Sequence, residues 1–385
     1  MNVVFVSPHF PPQFHQFCAA LKERGVNVLG LGDTPEHALA PEVRHSLHEY
    51  YYAPLEDYAQ AHRALAYFTW KHGRIDRIDS HTEHWLGLEA RLREDFNIPG
   101  PKTQEMHERR TKSGMARLFR EAGVPYPESH RVRTAEGVRQ FAKEQGFPLV
   151  FKPDLGVGAA STFRVEDEAE LDRVLATPLE GYLVQPFVTG TIVSYDGLVD
   201  ADGRVLFETA HVYSDGVMNI VNQQLDAWYY NRREINDDLR DLGRRTLSAF
   251  GIRERFFHVE FFEQPDGRYR ALEINIRPPG GFTTDMMNFS ADIDVYRLWA
   301  RMLTGDALTG LQYERRYHVG YVSRRDRFRY VLTADEVRQR VGPRLLLHRP
   351  VPRAFSGAMG DELFLIRDAD EARLQEDIGV IQQRA

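Results

Sequence analysis

Two alternating apolar–polar runs, separated by a tight turn, constrain the fold of this chain most. They are RFFHVEFF at 255–262 and ALEINIRPPGG at 271–281, and Asp266-Gly267 lies between them. Alternation with period two is typical of a strand with one apolar and one polar face, and Asp-Gly is a strong hairpin signal. The two runs therefore predict an antiparallel hairpin whose polar side chains face one space.

The polar face of this hairpin is chemically specific. Glu260 stands on the first run, and Glu273, Asn275 and Arg277 follow at alternate positions on the second. Asparagine is uncommon in strands because it competes for backbone hydrogen bonds, so its oxygen is expected to have a use there. Carboxylate and amide oxygens suit Mg²⁺, and we therefore predict a metal site at Glu260, Glu273 and Asn275. An ordinary half-buried strand is the alternative.

The first hundred residues alternate strand-like and helix-like segments. This order predicts βαβ units and a parallel sheet. The turn after the first strand lacks the G-x-G-x-x-G pattern, so a nicotinamide cofactor is not indicated. Ligands in such sheets bind beyond the carboxyl ends of strands, which makes His9 and Glu83 candidates for a substrate pocket. Plain surface loops are the alternative.

A strand, a lysine, a glycine-rich turn and a second strand follow one another in FPLVFKPDLGVGAASTFRV. Gly156 and Gly158 allow backbone N–H groups to approach an anion closely. The segment is not a P-loop, because Lys152 precedes the turn instead of following it. Upstream, RRTKSGMARLFREAG predicts a helix ended by Gly123.

Composition narrows the function classes. The chain has 385 residues, 42% hydrophobic content and a formal net charge of -7, so nucleic acid is not an expected partner. The single cysteine, Cys18, excludes an intrachain disulfide and is interpreted as a core residue. No signal peptide and no apolar run of about 18 residues is apparent, so we expect a cytoplasmic protein without a membrane partner. A homodimer is left open.

Taken together and in this order, the motifs resemble those of the ATP-grasp superfamily of ligases. RTKSGMARLFREAGVPYP resembles its entry helix, PLVFKPDLGVGAAST its lysine strand and phosphate loop, and GYLVQPFVTGTIVSYDGLV its adenine hinge. FFHVEFF and EINIRPPGG resemble its magnesium strands and substrate arginine. The hinge and the HVEFF strand look most similar to the branch of L-amino-acid ligases and carnosine synthases.

The resemblance implies a Rossmann-like (pre-ATP-grasp) parallel sheet domain, followed by a two-lobed ATP-grasp domain, in a mixed α/β and α+β chain. The regions expected are 1–100, 101–190 with the phosphate loop, 191–310 with the magnesium strands, and a closing region at 311–385. It assigns catalytic roles to Arg277 and Lys152, and substrate binding to Arg277. The PPGG segment that follows Arg277 is expected to bend the chain and to expose the backbone N–H groups of Gly280 and Gly281 to the same substrate. The residues that the resemblance assigns to ATP are Lys112, Lys152, Gly156, Val157, Gly158, Ala159, Ser161, Gln185, Pro186, Phe187 and Val188.

The hinge departs from the family pattern. Gln185 and Pro186 stand where many members have two glutamates, and Ile192 stands where a carboxylate is common. Carboxylates at these places bind ribose, so the ribose contact of this chain is not given by the resemblance.

The activity implied is ATP-dependent ligation of a small carboxylate, such as an amino acid, to an amine through an acyl phosphate. ATP and Mg²⁺ or Mn²⁺ are the expected cofactors. Two alternatives share the scaffold: a carboxylase of the biotin-carboxylase type, and a nucleotide-binding regulator without catalysis. No Met-Lys-Met biotin-carrier segment occurs in the sequence, and no metal ligand or lysine of the motifs is missing, so ligation is favoured.

Overall fold

The computed structural model describes residues 1–156, 161–308 and 310–385. Three of the predicted phosphate-loop residues, Val157, Gly158 and Ala159, lie outside these ranges. Their assignment to ATP stays a prediction.

The N-terminal region forms a four-stranded parallel sheet with strand order β3-β2-β1-β4, as the alternating sequence predicts. Burial drives this arrangement, since Val3 to Val6 are fully buried. Val3 and Phe5 pack with the apolar face of α1, including the fully buried Cys18, whereas Val4 and Val6 pack into a second core. The elements are β1 (Asn2–Val6), α1 (His15–Glu23), β2 (Asn27–Gly32), α2 (Pro41–Ser46), β3 (Glu49–Tyr52), α3 (Tyr58–His72), β4 (Arg77–Asp79) and α4 (Leu86–Asp95).

The second region carries a four-stranded antiparallel sheet with order β5-β8-β6-β7. Strands β6 and β7 pair antiparallel on either side of the glycine-rich turn, which confirms the strand–turn–strand prediction. The elements are α5 (Thr103–Arg110), α6 (Lys112–Glu121), β5 (His130–Arg131), α7 (Ala135–Gln145), β6 (Leu149–Pro153), β7 (Phe163–Val165), α8 (Glu168–Leu175) and β8 (Tyr182–Pro186).

One sequence prediction in this region was wrong. RRTKSGMARLFREAG does not form one helix, because Arg109 and Arg110 end α5 and a new helix begins at Lys112. Thr111 separates the two helices with an extended ψ of 137°, and its hydroxyl accepts a hydrogen bond from the Gly114 amide. This N-cap satisfies an otherwise unpaired amide and fixes Lys112 at the first position of α6.

The remaining chain builds an eight-stranded sheet with order β13-β12-β9-β10-β11-β14-β16-β15. Its antiparallel pairs bury a large apolar core that also receives α6 and α10. The elements are β9 (Thr191–Val199), β10 (Val205–Tyr213), α9 (Val217–Gln223), β11 (Trp228–Arg232), α10 (Asp237–Ala249), β12 (Arg255–Glu263), β13 (Tyr269–Asn275), α11 (Thr283–Ala291), α12 (Val295–Leu303), β14 (His318–Arg324), α13 (Ala334–Val341), β15 (Leu345–Pro350), α14 (Arg353–Met359), β16 (Glu362–Asp368) and α15 (Glu371–Gln382).

Strands from residues 191–310 and from 311–385 thus share one sheet. The division of the chain into four regions stays a prediction. None of the described helices is long and apolar enough to cross a membrane.

A buried ionic cluster joins the first sheet to the eight-stranded sheet. Asp79 ends β4, Glu89 and Arg93 lie on α4, and Arg255 begins β12. Arg255 Nη2 is 2.5 Å from Asp79 Oδ1 and 3.1 Å from Glu89 Oε2. Arg93 Nη2 lies 2.6 Å from the same Glu89 oxygen. All four side chains are buried, so each charge depends on the others for its solvation.

Candidate active site

The hairpin of β12 and β13 confirms the first prediction from the sequence. Glu260 and Glu273 are direct partners in the antiparallel register, and His258 faces Asn275. The register shifts after Glu260, which lets Leu272 bulge out while both carboxylates stay on one face. The two acids therefore share one space.

Asn275 completes this set. Its amide nitrogen donates to Glu273 Oε1 at 3.1 Å, which leaves its carbonyl oxygen for another partner. Within the described ranges there is no group of three or more His, Cys, Asp and Glu side chains suited to a metal ion. The set here has two carboxylates and one amide, a donor chemistry that fits Mg²⁺ sharing its shell with phosphate and water.

Two buried lysines face the same hairpin. Lys112 and Lys152 each expose only 8% of their surface. The Lys112 amide donates to Asp154 O at 2.8 Å, and the next residue, Ser113, donates its amide and hydroxyl to the Asp154 carboxylate. These bonds fix the first turn of α6 against the end of β6, which brings the two lysines together.

The electrostatics of Lys152 reflect this crowding. Burial lowers its pKa to about 8, the positive charge of Lys112 adds to the lowering, and Glu273 opposes it. Two neighbouring buried cationic groups repel each other, and an anionic ligand bound beside them would offset that repulsion.

The predicted hinge residues lie at the end of β8, near the lysines. Gln185 is buried, pairs with Val150 of the lysine strand and donates its side-chain amide to Ser129 at 2.5 Å. Its side chain is thereby occupied within the protein. Pro186, Phe187 and Val188 are half-buried, whereas Gly156 and Ser161, at the ends of the glycine-rich turn, are exposed.

Arg277 corrects the sequence prediction in part. Strand β13 ends at Asn275, so Arg277 lies in the following bend and not on the strand face. Pro278 and Pro279 explain this, because proline cannot continue the ladder and restricts the residue before it. The bend places Arg277 Nε 3.4 Å from Glu83 Oε2, while Arg110 Nε lies 3.1 Å from Glu83 Oε1. Two of the predicted substrate residues are thus brought together.

The glycines after Arg277 differ from one another. Gly281 has a φ of +63°, and a Cβ there would overlap the methyl group of Met359. Its carbonyl accepts a hydrogen bond from Gln13 of the N-terminal region. Gly280 is exposed, and a Cβ there would meet nothing within 4 Å.

His9 lies in the loop after β1. Its Nε2 is 2.9 Å from Thr34 Oγ1, and burial lowers its pKa although Asp33 opposes the shift. No hydrogen bond or ion pair of the described residues links His9 to Arg277 or Glu83. Its part in a substrate pocket stays a prediction.

The sequence interpretation missed a buried chain of polar residues behind Glu260. His258 Nε2 lies 2.9 Å from Glu260 Oε1, and its Nδ1 lies 2.5 Å from Asp196 Oδ1. His211 Nδ1 contacts the other Asp196 oxygen at 2.7 Å. Burial opposes both shifts, yet the ion pair lowers the pKa of Asp196 to about 2 and raises that of His258 to about 10. The available signal was the position of His258 on the same strand face as Glu260.

No family model matches the chain. An L-arginine-specific L-amino acid ligase of Bacillus subtilis is 23% identical over 247 residues, which is 59% of each chain. The chain thus spans less than two thirds of the length of this curated relative. The crystal structure of an L-amino acid ligase from Bacillus licheniformis superposes with a TM-score of 0.75 at 18% identity, over 98% of this chain and 95% of that one.

A second solved structure, an N5-carboxyaminoimidazole synthetase from Staphylococcus aureus complexed with ADP, superposes with a TM-score of 0.73 at 15% identity. It covers 98% of this chain and 95% of that one. The likeness extends over nearly the whole chain in both structures. The chain therefore has the ATP-grasp fold.

Proposed function

We propose that this protein is an ATP-dependent carboxylate–amine ligase that acts on a small carboxylate, such as an amino acid, through an acyl phosphate. The observation that carries the proposal is the joint position of Lys112, Lys152, Glu260 and Glu273 around one space, with Arg277 and Glu83 nearby. The similarity to L-amino acid ligases supports the reaction class.

In the proposed reaction, a carboxylate oxygen attacks the γ-phosphorus of ATP, and the bond from that phosphorus to the leaving ADP breaks. An amine nitrogen then attacks the carbonyl carbon of the acyl phosphate. A C–N bond forms, phosphate leaves with the C–O electrons, and the amine loses a proton. Positioning and charge neutralisation supply most of the rate in such phosphoryl transfers.

The residues of the site have different roles in this reaction. Lys112 and Lys152 neutralise phosphate charge from the side of the second sheet. Glu260, Glu273 and Asn275 would hold Mg²⁺, which when bound offsets the negative charge of the phosphates. Arg277 binds the substrate carboxylate and then the developing oxyanion, for which a planar bidentate donor is suited.

Glu83 supplies a negative charge next to the positive charge of Arg277 in the proposed substrate site. One of its oxygens is bonded to Arg110, and the other, Oε2, is buried without a hydrogen bond among the described residues, although Arg277 lies near it. A carboxylate in this state suits the ammonium group of an amino acid. We infer that the acyl substrate binds beside the Arg277–Glu83 pair, with its carboxylate at Arg277 and its ammonium group at Glu83 Oε2.

The decisive experiment measures phosphate and ADP release from Mg-ATP against pairs of amino acids and other carboxylates with amines. With a carboxylate labelled by ¹⁸O, one labelled oxygen should appear in the released phosphate, because the C–O bond breaks on the substrate side. Glu273→Gln should reduce turnover by at least about 100-fold, since even indirect metal partners are worth 10- to 100-fold. Asp266→Asn, at the exposed turn of the same hairpin, is the matched control and should retain turnover.

Other outcomes would assign another function. Turnover that depends on bicarbonate would indicate a carboxylase. ATP binding without hydrolysis across all the pairs would indicate a regulator. Release of AMP and pyrophosphate, in place of ADP and phosphate, would contradict the acyl-phosphate route.

A further inference from the structure

A chain of polar side chains runs across three adjacent strands behind the proposed metal site. Its centre is Asp196 on β9, which is completely buried. One carboxylate oxygen contacts His258 on β12, and the other contacts His211 on β10 and the Ser194 hydroxyl. Both oxygens of Asp196 are thus occupied, so this carboxylate is held in one orientation.

His258 transmits that orientation to Glu260. With its Nδ1 directed at Asp196, the imidazole ring has a fixed plane, and its Nε2 lies 2.9 Å from Glu260 Oε1. Oε1 is the only Glu260 oxygen with a hydrogen bond among the described residues, which leaves Oε2 for another partner. A carboxylate with one fixed oxygen presents the other in a defined direction.

We propose that His258, held by Asp196, is a positioning residue that directs Glu260 Oε2 toward the cation of the nucleotide. This inference rests on the proposed function, because it takes Glu260 to be a metal ligand. A purely structural interpretation exists: His258 could serve only to neutralise the buried Asp196. The two interpretations differ in which ring nitrogen matters for cation binding.

Two substitutions of His258 separate the nitrogens. Asparagine places its amide nitrogen near the position of Nδ1, so His258→Asn keeps the contact with Asp196 and loses the one with Glu260. Glutamine places its amide nitrogen near Nε2, so His258→Gln keeps the contact with Glu260. His211→Asn is the matched control, because His211 contacts Asp196 and not Glu260.

The experiment measures Mn²⁺ binding to each variant in the presence of ADP, by electron paramagnetic resonance of free Mn²⁺, and ADP binding without metal by calorimetry. His258→Asn should raise the Kd for Mn²⁺ about 10- to 100-fold, the range for a residue that supports a metal ligand. His258→Gln should raise it less, and His211→Asn should leave it unchanged. The ADP affinity without metal should stay the same in all three.

Wild-type Mn²⁺ affinity in His258→Asn, or a larger loss in His258→Gln than in His258→Asn, would overturn the inference. Absence of Mn²⁺ binding by the wild type would overturn the proposed metal site itself. Loss of binding in Glu273→Gln without loss in His258→Asn would overturn only the role of His258. If neither His258 variant folds, ¹⁵N NMR spectra of the wild-type histidines provide the test. Adding Mg-ADP should change the chemical shift of His258 Nε2 more than that of either ring nitrogen of His211. A larger change at His211 would refute the proposal.

Discussion

Arg277 shows how one residue can be placed by its neighbours in the chain. The two prolines that follow it end β13, and the resulting bend turns the guanidinium toward Glu83 instead of leaving it on the strand face. Its position beyond the carboxylate pair of the hairpin separates it from the proposed phosphate groups. It therefore belongs with the substrate carboxylate in the proposed reaction.

Arg277→Lys is expected to lower turnover by about 10²- to 10³-fold, the usual worth of an oxyanion donor. Lysine keeps the charge but loses the bidentate fork, so the substitution is not conservative. Steady-state kinetics should show the loss, and calorimetry should show nearly unchanged Mg-ATP affinity. A variant that binds carboxylate normally and fails to bind ATP would make Arg277 a phosphate ligand.

The stability of the protein is expected to depend on pH through Lys152. Its pKa falls from 10.5 to about 8 in the folded protein, mainly through burial. Below pH 8 the side chain is charged in both the folded and the unfolded state, so the cost of burying the charge is fully present. Between pH 8 and 10.5 the unfolded state binds more protons, and the free energy of unfolding therefore rises with pH.

Lys152→Met removes the free-energy cost of burying the lysine charge. The shift of the pKa from 10.5 to about 8 corresponds to about 3 kcal/mol. The variant should gain stability relative to the wild type at pH 7, and that gain should shrink toward pH 10. Urea unfolding at the two pH values measures the difference. A gain or loss of equal size at both pH values would arise from packing alone and would contradict a depressed lysine pKa.

At the scale of elements, the eight-stranded sheet depends on close approach of α10. Gly243 of this helix packs directly on the buried ring of Tyr195 on β9, and a Cβ there would lie 2.6 Å from Tyr195 Cε1. The ring cannot move aside freely, because its hydroxyl donates to Glu208 at 2.7 Å. A small residue is required at this contact.

Gly243→Ala should therefore destabilise the protein by about 1–3 kcal/mol, the usual cost of overpacking, although alanine is the better helix former. Gly379 is the matched control, since it is exposed on α15 and a Cβ there meets nothing within 4 Å. Gly379→Ala should stabilise by about 0.5–1 kcal/mol through backbone entropy. Thermal unfolding of both variants tests the pair, and equal effects would show that α10 does not lie this close to β9.

At the scale of the whole molecule, Arg255 connects the N-terminal sheet to the strand that carries Glu260. Its guanidinium contacts Asp79 and Glu89, and it also donates to the carbonyl of Ile276, the residue before Arg277. Through Arg255, the N-terminal region is therefore connected to the bend that carries Arg277. This contact couples the stability of the two sheets to the geometry of the proposed site.

Arg255→Met should cost about 3–5 kcal/mol, because it leaves two buried carboxylates with only Arg93 to balance them. The control is Arg139→Met, which breaks the exposed pair of Arg139 with Asp172 and should cost less than about 1 kcal/mol. Denaturant unfolding of the two variants gives the comparison. Similar costs would mean that the cluster around Arg255 is solvated in solution.

The sequence by itself determined the features that depend on local pattern. Period-two alternation and an Asp-Gly turn were enough for the hairpin and for the facing of Glu260 and Glu273, since side-chain direction in a strand follows from position alone. Alternating strands and helices likewise predicted the parallel N-terminal sheet. Ordered motifs indicated the ATP-grasp fold, which the superpositions confirm.

Only the tertiary structure decided which distant residues meet. Arg277 lies beside Glu83 of the N-terminal region, and Asp196 contacts His211 and His258 on the two strands next to its own. Each of these contacts depends on strand order and register between segments far apart in the chain, and no local pattern encodes that register. Burial makes these contacts necessary, because a buried carboxylate such as Asp196 is stable only where hydrogen-bonding or charged partners from several elements surround it.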